Sequence, residues 1–134
     1  MAIVWSDEYA TEVGSIDRQH KKLFEYINKL EVCIQKGIFE GPQILDILNF
    51  LHTYVKVHFE HEEFCMKKRN CPVAGKNKKA HDDFIAFYEQ FVNDYKLNTD
   101  PFYHRQQIKK LQTVAESWLV NHICKIDLSI KDLN

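Results

Sequence analysis

The chain has 134 residues, a formal net charge of −1 and 45% hydrophobic residues. This length predicts a single domain over residues 1–134, with enough apolar side chains for a core of its own. Lysine and arginine are scattered among the acidic residues, which excludes the basic patch typical of nucleic-acid-binding proteins. The sequence has neither a signal-peptide pattern nor an apolar run of membrane-spanning length. We therefore expect a cytoplasmic protein with no membrane or nucleic-acid partner.

The amino-terminal residues, up to about residue 15, show no sustained helical period. We expect them to form an extended arm that packs on the body of the protein through Trp5. The pattern changes near Asp17, where inward positions begin to recur every three or four residues until Gly37. These positions are Ile16, His20, Leu23, Phe24, Ile27, Leu30 and Ile34. The first helix therefore carries one histidine, His20, near its start.

A second helix is predicted from the turn at Gly41-Pro42 to about Lys67. Its inward row consists of Ile44, Ile47, Leu48, Leu51, Tyr54, Val55, His58, Glu62 and Met66. His58 and Glu62 lie four residues apart, so their side chains share one face of the helix and can reach a single metal ion. A carboxylate among apolar residues is costly unless it is neutralised, paired or bound to a cation. The pair therefore indicates a buried cation.

Two further helices are predicted after Cys71-Pro72 and after the break at Asn98-Thr99-Asp100-Pro101. The third row is Ala74, Asn77, His81, Phe84, Ile85, Tyr88, Val92 and Tyr95, and the fourth is Ile108, Leu111, Ala115, Trp118, Leu119, His122 and Ile126. Four helices of about twenty residues joined by short loops predict an all-α, antiparallel up-and-down four-helix bundle with an extended N-terminal arm.

This topology brings the inward polar residues to one end of the bundle. They lie at the start of the first and third helices and near the end of the second and fourth, and they are His20, His58, Glu62, His81 and His122. Separate hydrogen-bond partners for each of them are a less economical explanation than a shared metal. Asp127 follows His122 by five residues, which is about 140° around an ideal helix. Spacing alone therefore leaves open whether Asp127 reaches the site.

The donor set of imidazole and carboxylate, without a placed thiolate, favours iron over manganese or zinc. Five or more donors from four helices suggest two metal ions, bridged by Glu62 and, if it reaches the site, by Asp127. Carboxylate-rich di-iron bundles use more anionic ligands than this chain offers. The predominance of neutral histidines favours reversible oxygen binding over oxygen cleavage.

Other polar and reactive residues are expected to have ordinary structural roles. We expect His52, His61 and His104 to face solvent, with His61 as the reserve ligand candidate, and Glu60 and Glu63 to be solvated beside the ligand pair. Tyr54, Tyr88 and Trp118 are expected to be core aromatics, any of which could also line a pocket beside the metal. Cys33, Cys65, Cys71 and Cys124 lack zinc-finger spacing and are expected to be reduced and at least partly buried.

Several motifs occur together, in order, over nearly the whole chain. They are Trp5, Ile16-Asp17-Arg18-Gln19-His20, His58-Phe59-Glu60-His61-Glu62-Glu63 with Met66, His81-Asp82-Asp83-Phe84, and His122 with Asp127 at H-x-x-x-x-D spacing. This combination resembles the bacterial hemerythrins (bacteriohemerythrins) of the hemerythrin family. The resemblance implies two non-heme iron ions with a bridging oxo or hydroxo group, and O2 as the ligand of one iron.

The resemblance also implies a role for each ligand. His20 and His58 would bind the iron that takes O2, and His81 and His122 would bind the other. Glu62 and Asp127 would bridge the two ions. One position departs from the family pattern, because Asn77 stands where the third helix is expected to carry another histidine. An amide oxygen is a weaker donor than imidazole, so we expect the fold and most of the site to survive, with a more open second metal and a less stable oxygen adduct.

The leading functional prediction is a monomeric oxygen-binding protein for storage, or for delivery to an oxygen-requiring enzyme, with no catalytic residues. Two alternatives follow from Asn77. An open iron could support oxidase or peroxidase chemistry, or the protein could handle iron or sense redox state. Surface aromatics such as Phe39, Phe102 and Tyr103 are too scattered to indicate an oligomer interface.

Overall fold

The computed structural model describes residues 3–125 and 127–133. Four α-helices account for most of them: α1 (Gly14–Gln35), α2 (Pro42–Lys68), α3 (Ala74–Leu97) and α4 (Pro101–Lys125). Short 3-10 helices precede and follow the four, at Asp7–Tyr9 and Asp127–Leu133. The described residues contain no β-strand, and none of the helices within them is long and apolar enough to cross a membrane. The predicted all-α four-helix bundle is confirmed.

Proline and left-handed residues set the helix boundaries. Pro42 begins α2 and Pro101 begins α4, where the missing N–H and the fixed φ of proline are favourable. The Asp100 carboxylate accepts a hydrogen bond from the Phe102 amide at 3.0 Å and caps the start of α4. Gly37 (φ 72°) follows α1 and Asn70 (φ 53°) follows α2, which are the residue types that adopt this conformation after a helix most readily. These local signals explain why the predicted boundaries were nearly correct.

The amino-terminal arm packs against α1 as expected. Asn28 holds the backbone of Ile3 through two 2.8 Å hydrogen bonds, one to its N–H and one to its carbonyl. The Trp5 ring lies 5.6 Å from that of Phe24, centroid to centroid. The 3-10 helix at Asp7–Tyr9 interrupts the arm and was not predicted. The first two residues of the predicted arm lie outside the described residues.

Each helix packs on two neighbours, in the order α1, α2, α3, α4 and back to α1. The larger apolar cluster fills the bundle from Leu23 and Phe59 toward its far end. A smaller apolar cluster closes the other end and consists of Ile16, Cys65, Met66, Cys71 and Ile130. Because Ile16 precedes His20 by one turn and Met66 follows Glu62 by one turn, the predicted ligands lie between the two clusters.

All four cysteines are free of disulfide bonds, and Cys33, Cys65 and Cys71 are buried as predicted. Cys124 is exposed, so its predicted burial was wrong. It follows His122 by two residues, which is about 200° around a helix, and therefore lies on the opposite side of α4.

The prediction that His104 faces solvent was also wrong, because the residue is only 9% exposed. Its Nδ1 lies 2.6 Å from the Glu40 carboxylate, and its Nε2 faces the backbone carbonyls of Tyr95 and Asn98. Burial lowers the pKa of His104, but the hydrogen bonds to Glu40 and to the two carbonyls outweigh burial and raise it above its ordinary value. Acceptors at both ring nitrogens favour the protonated ring. Through its contacts with Glu40 and Asn98, His104 links the loop between α1 and α2 to the loop between α3 and α4.

We expect the metal-free protein to lose part of its stability when His104 is deprotonated. A histidine whose pKa is raised on folding contributes its full stabilisation below its unfolded pKa of about 6.5, and loses it as pH rises through the folded pKa. Urea unfolding between about pH 6 and about pH 9 should show a larger loss of stability in the wild type than in His104→Gln, because His20, whose pKa is also raised, contributes equally to both. His52→Gln, which alters a ring that is 42% exposed, is the control. Parallel pH profiles for wild type and His104→Gln would contradict the assignment.

Candidate metal centre

The structure brings the six predicted ligands together at one end of the bundle. His20 lies in the second turn of α1, and His58 and Glu62 lie in the second half of α2. His81 is near the start of α3 and His122 near the end of α4. None of the six is more than 6% exposed. The antiparallel topology produces this convergence, because it places those helix segments at the same level.

Asp127 reaches the cluster because it is not part of α4. That helix ends at Lys125, and Asp127 begins a separate 3-10 helix. The rotation of an ideal helix beyond His122 therefore does not determine its direction. The Asp127 Oδ1 lies 3.0 Å from the His122 Nε2, and its Oδ2 lies 3.3 Å from the His20 Nε2.

Glu62 divides its two oxygens in the same way. Its Oε2 lies 3.2 Å from the His20 Nε2 and 3.7 Å from the His58 Nε2, whereas its Oε1 lies 3.2 Å from the His81 Nε2. Each carboxylate thus directs one oxygen to either side of the cluster. We call the His20 and His58 side the first position and the His81 and His122 side the second position.

The unsatisfied polar atoms of the cluster fit metal ions. Both ring nitrogens of His20 and both oxygens of Glu62 and of Asp127 are buried without a hydrogen bond of normal geometry to any described residue. Such groups are rare in protein interiors unless an ion or water satisfies them. Neighbouring ligand atoms of an octahedral ion lie about 3.0 Å apart when the metal–ligand bonds are about 2.1 Å long. The contacts of 3.0 to 3.3 Å in the cluster match that separation.

Asn77, the position that departs from the family pattern, is also in the cluster. It is fully buried in the first turn of α3, one turn before His81. Its Oδ1 lies 2.8 Å from the His122 Nε2. The amide therefore faces the second position.

Two residues that sequence reasoning missed orient the histidine rings from behind. The Gln19 Oε1 lies 2.8 Å from the His58 Nδ1, and the Glu63 Oε2 lies 2.9 Å from the His81 Nδ1. The prediction that Glu63 is simply solvated was therefore wrong, because its carboxylate contacts the His81 ring. An acceptor at Nδ1 fixes the tautomer and leaves the Nε2 lone pair directed at the centre. Adjacency to ligands was the signal available, since Gln19 precedes His20 and Glu63 follows Glu62.

Aromatic rings hold the histidines of the second position. Phe59 stacks on His81 with ring centroids 3.7 Å apart, and Trp118 stacks on His122 at 4.4 Å. Trp118 therefore lies directly beside the cluster, which agrees with the prediction that it could line a pocket next to the metal. Stacking restricts the rings to a narrow range of orientations, so the second position is largely pre-organised.

The metal-free cluster compensates part of its charge with protons. Burial lowers the pKa of His20, but its close contacts with Asp127 and Glu62 outweigh burial and raise the pKa to about 9. Burial lowers the pKa of His58 to about 3, against the opposing charge of Glu62. Burial raises the pKa of Asp127, but its contacts with His122 and His20 hold it below its ordinary value. Since ligands bind metals without their protons, metal uptake would displace the proton on His20.

The remaining candidates do not join the cluster. The ring of His61, the reserve candidate, lies 2.7 Å from the Ser15 hydroxyl through its Nε2, and the residue is half-buried at the bundle surface. Glu60 is exposed, as expected. His52 contacts Glu89 at 3.4 Å on the surface.

Comparison with known proteins finds relatives that cover most of the chain. Residues 11–133 match the family model described as hemerythrin HHE cation binding domain. Bacteriohemerythrin of Clostridium acetobutylicum is 28% identical, over 92% of this chain and 95% of the relative. Bacteriohemerythrin of Pseudomonas aeruginosa is 30% identical, over 97% of this chain and 80% of the relative. Hemerythrin subunit 1 of Golfingia vulgaris is 29% identical, over 96% of this chain and 90% of the relative.

We expect metal loading to stabilise the fold. An ion that binds only the folded state at a free concentration a thousandfold above its Kd adds about 4 kcal/mol to the free energy of unfolding. Thermal unfolding of the protein with Fe(II), under anaerobic conditions, should therefore occur at a clearly higher temperature than after chelation. Equal midpoints with and without metal would contradict a site that satisfies the buried carboxylates.

We expect Glu63→Gln to weaken metal binding at the second position by about tenfold to a hundredfold, because loss of a carboxylate behind a ligating histidine typically has this effect. The measurement is the rate at which a chelator removes each ion from the loaded protein. Glu60→Gln changes an exposed carboxylate on the same helix and should leave both rates unchanged. Identical release rates for Glu63→Gln and Glu60→Gln would exclude the positioning role.

Proposed function

The chain belongs to the hemerythrin HHE cation binding domain family, and on that premise we propose that it binds O2 reversibly at two adjacent non-heme iron ions. The observation that carries this proposal is the division of the Glu62 and Asp127 carboxylates, each with one oxygen toward either histidine pair. Two carboxylates that each face two separate pairs of imidazoles support two ions rather than one.

In this proposal His20 and His58 hold the first iron, His81 and His122 hold the second, and Glu62 and Asp127 bridge the pair. The family resemblance implies that an oxo or hydroxo group would also lie between the two ions. When bound, the ferrous pair supplies the electrons and the open coordination place that O2 requires. The family resemblance assigns O2 to the first position, so His20 and His58 would hold the iron that takes it. Gln19 and Glu63 keep the His58 and His81 rings directed at the ions.

An apolar cavity adjoins the cluster on the side of the larger core. Its lining includes Leu23, one turn beyond His20, together with Phe59 and Trp118, which contact the histidines of the second position. Tyr88 is the one described lining residue with a hydroxyl, and this group donates a 2.7 Å hydrogen bond to the Leu48 carbonyl. Apolar walls exclude water and admit a small apolar molecule such as O2.

The same cavity favours a carrier over an oxidase or peroxidase. Cleavage of O2 or peroxide consumes protons, which a nearby acid must deliver. The Tyr88 hydroxyl already donates its hydrogen to the Leu48 carbonyl, and burial raises the pKa of this phenol, so it is a poor acid for that step. Storage, delivery to an oxygen-requiring enzyme, a monomeric state and a cytoplasmic location remain predictions from the sequence.

Oxygen binding can be tested on protein loaded with Fe(II) without air. We expect close to two irons per chain and a visible absorption change in air that reverses when oxygen is removed. Glu62→Gln should lose one iron and the reversible change, because the bridge is lost. Glu60→Gln, with an exposed side chain on the same helix, should behave as the wild type. Multiple turnovers of a reductant with O2, in place of a reversible change, would contradict a carrier and support an oxidase.

A further inference from the structure

Asn77 occupies a place that an ordinary hydrogen-bonding asparagine does not explain. Its Oδ1 is one of three atoms close to the His122 Nε2, at 2.8 Å, and the others are the His81 Nε2 and the Asp127 Oδ1, both at 3.0 Å. A ring nitrogen has either one hydrogen or one lone pair, which lies in the ring plane. His122 therefore cannot form a good hydrogen bond to all three atoms.

The nitrogen of the Asn77 amide also lacks the role of an ordinary hydrogen-bonding asparagine. The Asn77 Nδ2 is buried and has no hydrogen-bond partner among the described residues. A structural asparagine in a protein core normally uses both its oxygen and its nitrogen. In this site only the oxygen has a polar contact among the described residues, and its partner, the His122 Nε2, is a metal-ligand candidate. A cation among Asn77, His81, His122 and Asp127 accounts for all the short contacts at once.

We propose that Asn77 binds the second metal through its carboxamide oxygen and shifts the preference of that position toward hard, oxygen-preferring ions such as Mn(II). The inference rests on the proposed two-metal site. The second position then offers two nitrogens, from His81 and His122, and three oxygens, from Asn77, Glu62 and Asp127. Oxygen donors suit manganese, whereas imidazole suits iron, nickel, copper and zinc, and Co(II) generally binds nitrogen and oxygen sites more tightly than Mn(II).

This assignment differs from the expectation that Asn77 leaves the second metal more open. With the amide bound, the second position has five protein donors and the first has four. The open coordination place therefore stays at the first position, beside His20 and His58. Asparagine in place of the histidine of the family pattern therefore changes which ion the second position prefers, while that position keeps five protein ligands.

Anaerobic titration of the metal-free protein with Mn(II) tests the proposal without any oxygen chemistry. Electron paramagnetic resonance measures the free ion, and Co(II) absorption in parallel titrations reports coordination number and relative affinity. The variants are Asn77→Ala, which removes the donor, Asn77→Asp, which keeps an oxygen, and Asn77→His, which supplies a nitrogen. Asn93→Ala is the matched control, since Asn93 is exposed on the same helix. Far-UV circular dichroism verifies folding.

We expect the wild type and Asn93→Ala to bind two Mn(II) ions. Asn77→Ala should weaken binding of the second ion by about tenfold or more, because even the loss of a residue that only hydrogen-bonds a metal ligand has effects of this size. It should also intensify the Co(II) bands, as a lower coordination number does. Asn77→Asp should keep tight Mn(II) binding, and Asn77→His should raise the affinity for Co(II) relative to Mn(II).

Two outcomes would overturn the account at different levels. If the wild type binds fewer than two ions, the proposed two-metal function fails together with this inference. If the wild type binds two ions and Asn77→Ala binds both as tightly, with unchanged Co(II) bands, only the role of Asn77 is wrong. Should Asn77→Ala not fold, the opposite preferences of Asn77→Asp and Asn77→His decide, and equal Mn(II) to Co(II) preference in both would overturn the proposal.

Discussion

Burial of the Glu62 and Asp127 carboxylates among four histidines is the interaction on which the rest of this structure depends. Two carboxylates in an apolar interior cost several kcal/mol each unless cations compensate them. Protonated histidine compensates part of this charge in the metal-free protein, as the raised pKa of His20 shows. Metal ions would compensate it more fully. The folded protein therefore needs a cation in its core.

The surrounding bundle makes this arrangement possible. The four helices bring donors to one level, and the two apolar clusters on either side keep water away from them. Behind the ligands, a neutral amide supports His58 and a carboxylate supports His81. A carboxylate raises the basicity of its histidine, which strengthens metal binding at the second position. This extra donation would offset the weaker donor that Asn77 provides on the same side.

Sequence periodicity was sufficient for the bundle and for five of the six central side chains. His58 and Glu62 lie on the same helical row as the apolar residues around them, so their inward direction follows from helix geometry alone. Asp127 could not be derived in that way, because it lies beyond the end of α4. Gln19, Glu63 and His104 were missed for a related reason. Their roles depend on partners on other helices or in loops, and a one-dimensional pattern does not contain those contacts.

Anomalous X-ray diffraction at the iron edge, from crystals of the iron-loaded protein, would show whether two ions share the Glu62 and Asp127 carboxylates. We expect two peaks about 3 to 4 Å apart, because paired metals usually lie near this separation and a shared oxo or hydroxo group favours its shorter end. One peak should lie within bonding distance of His20 and His58 and the other of His81 and His122, with Glu62 and Asp127 contacting both. A single peak, or two peaks that share neither carboxylate, would contradict the two-ion proposal.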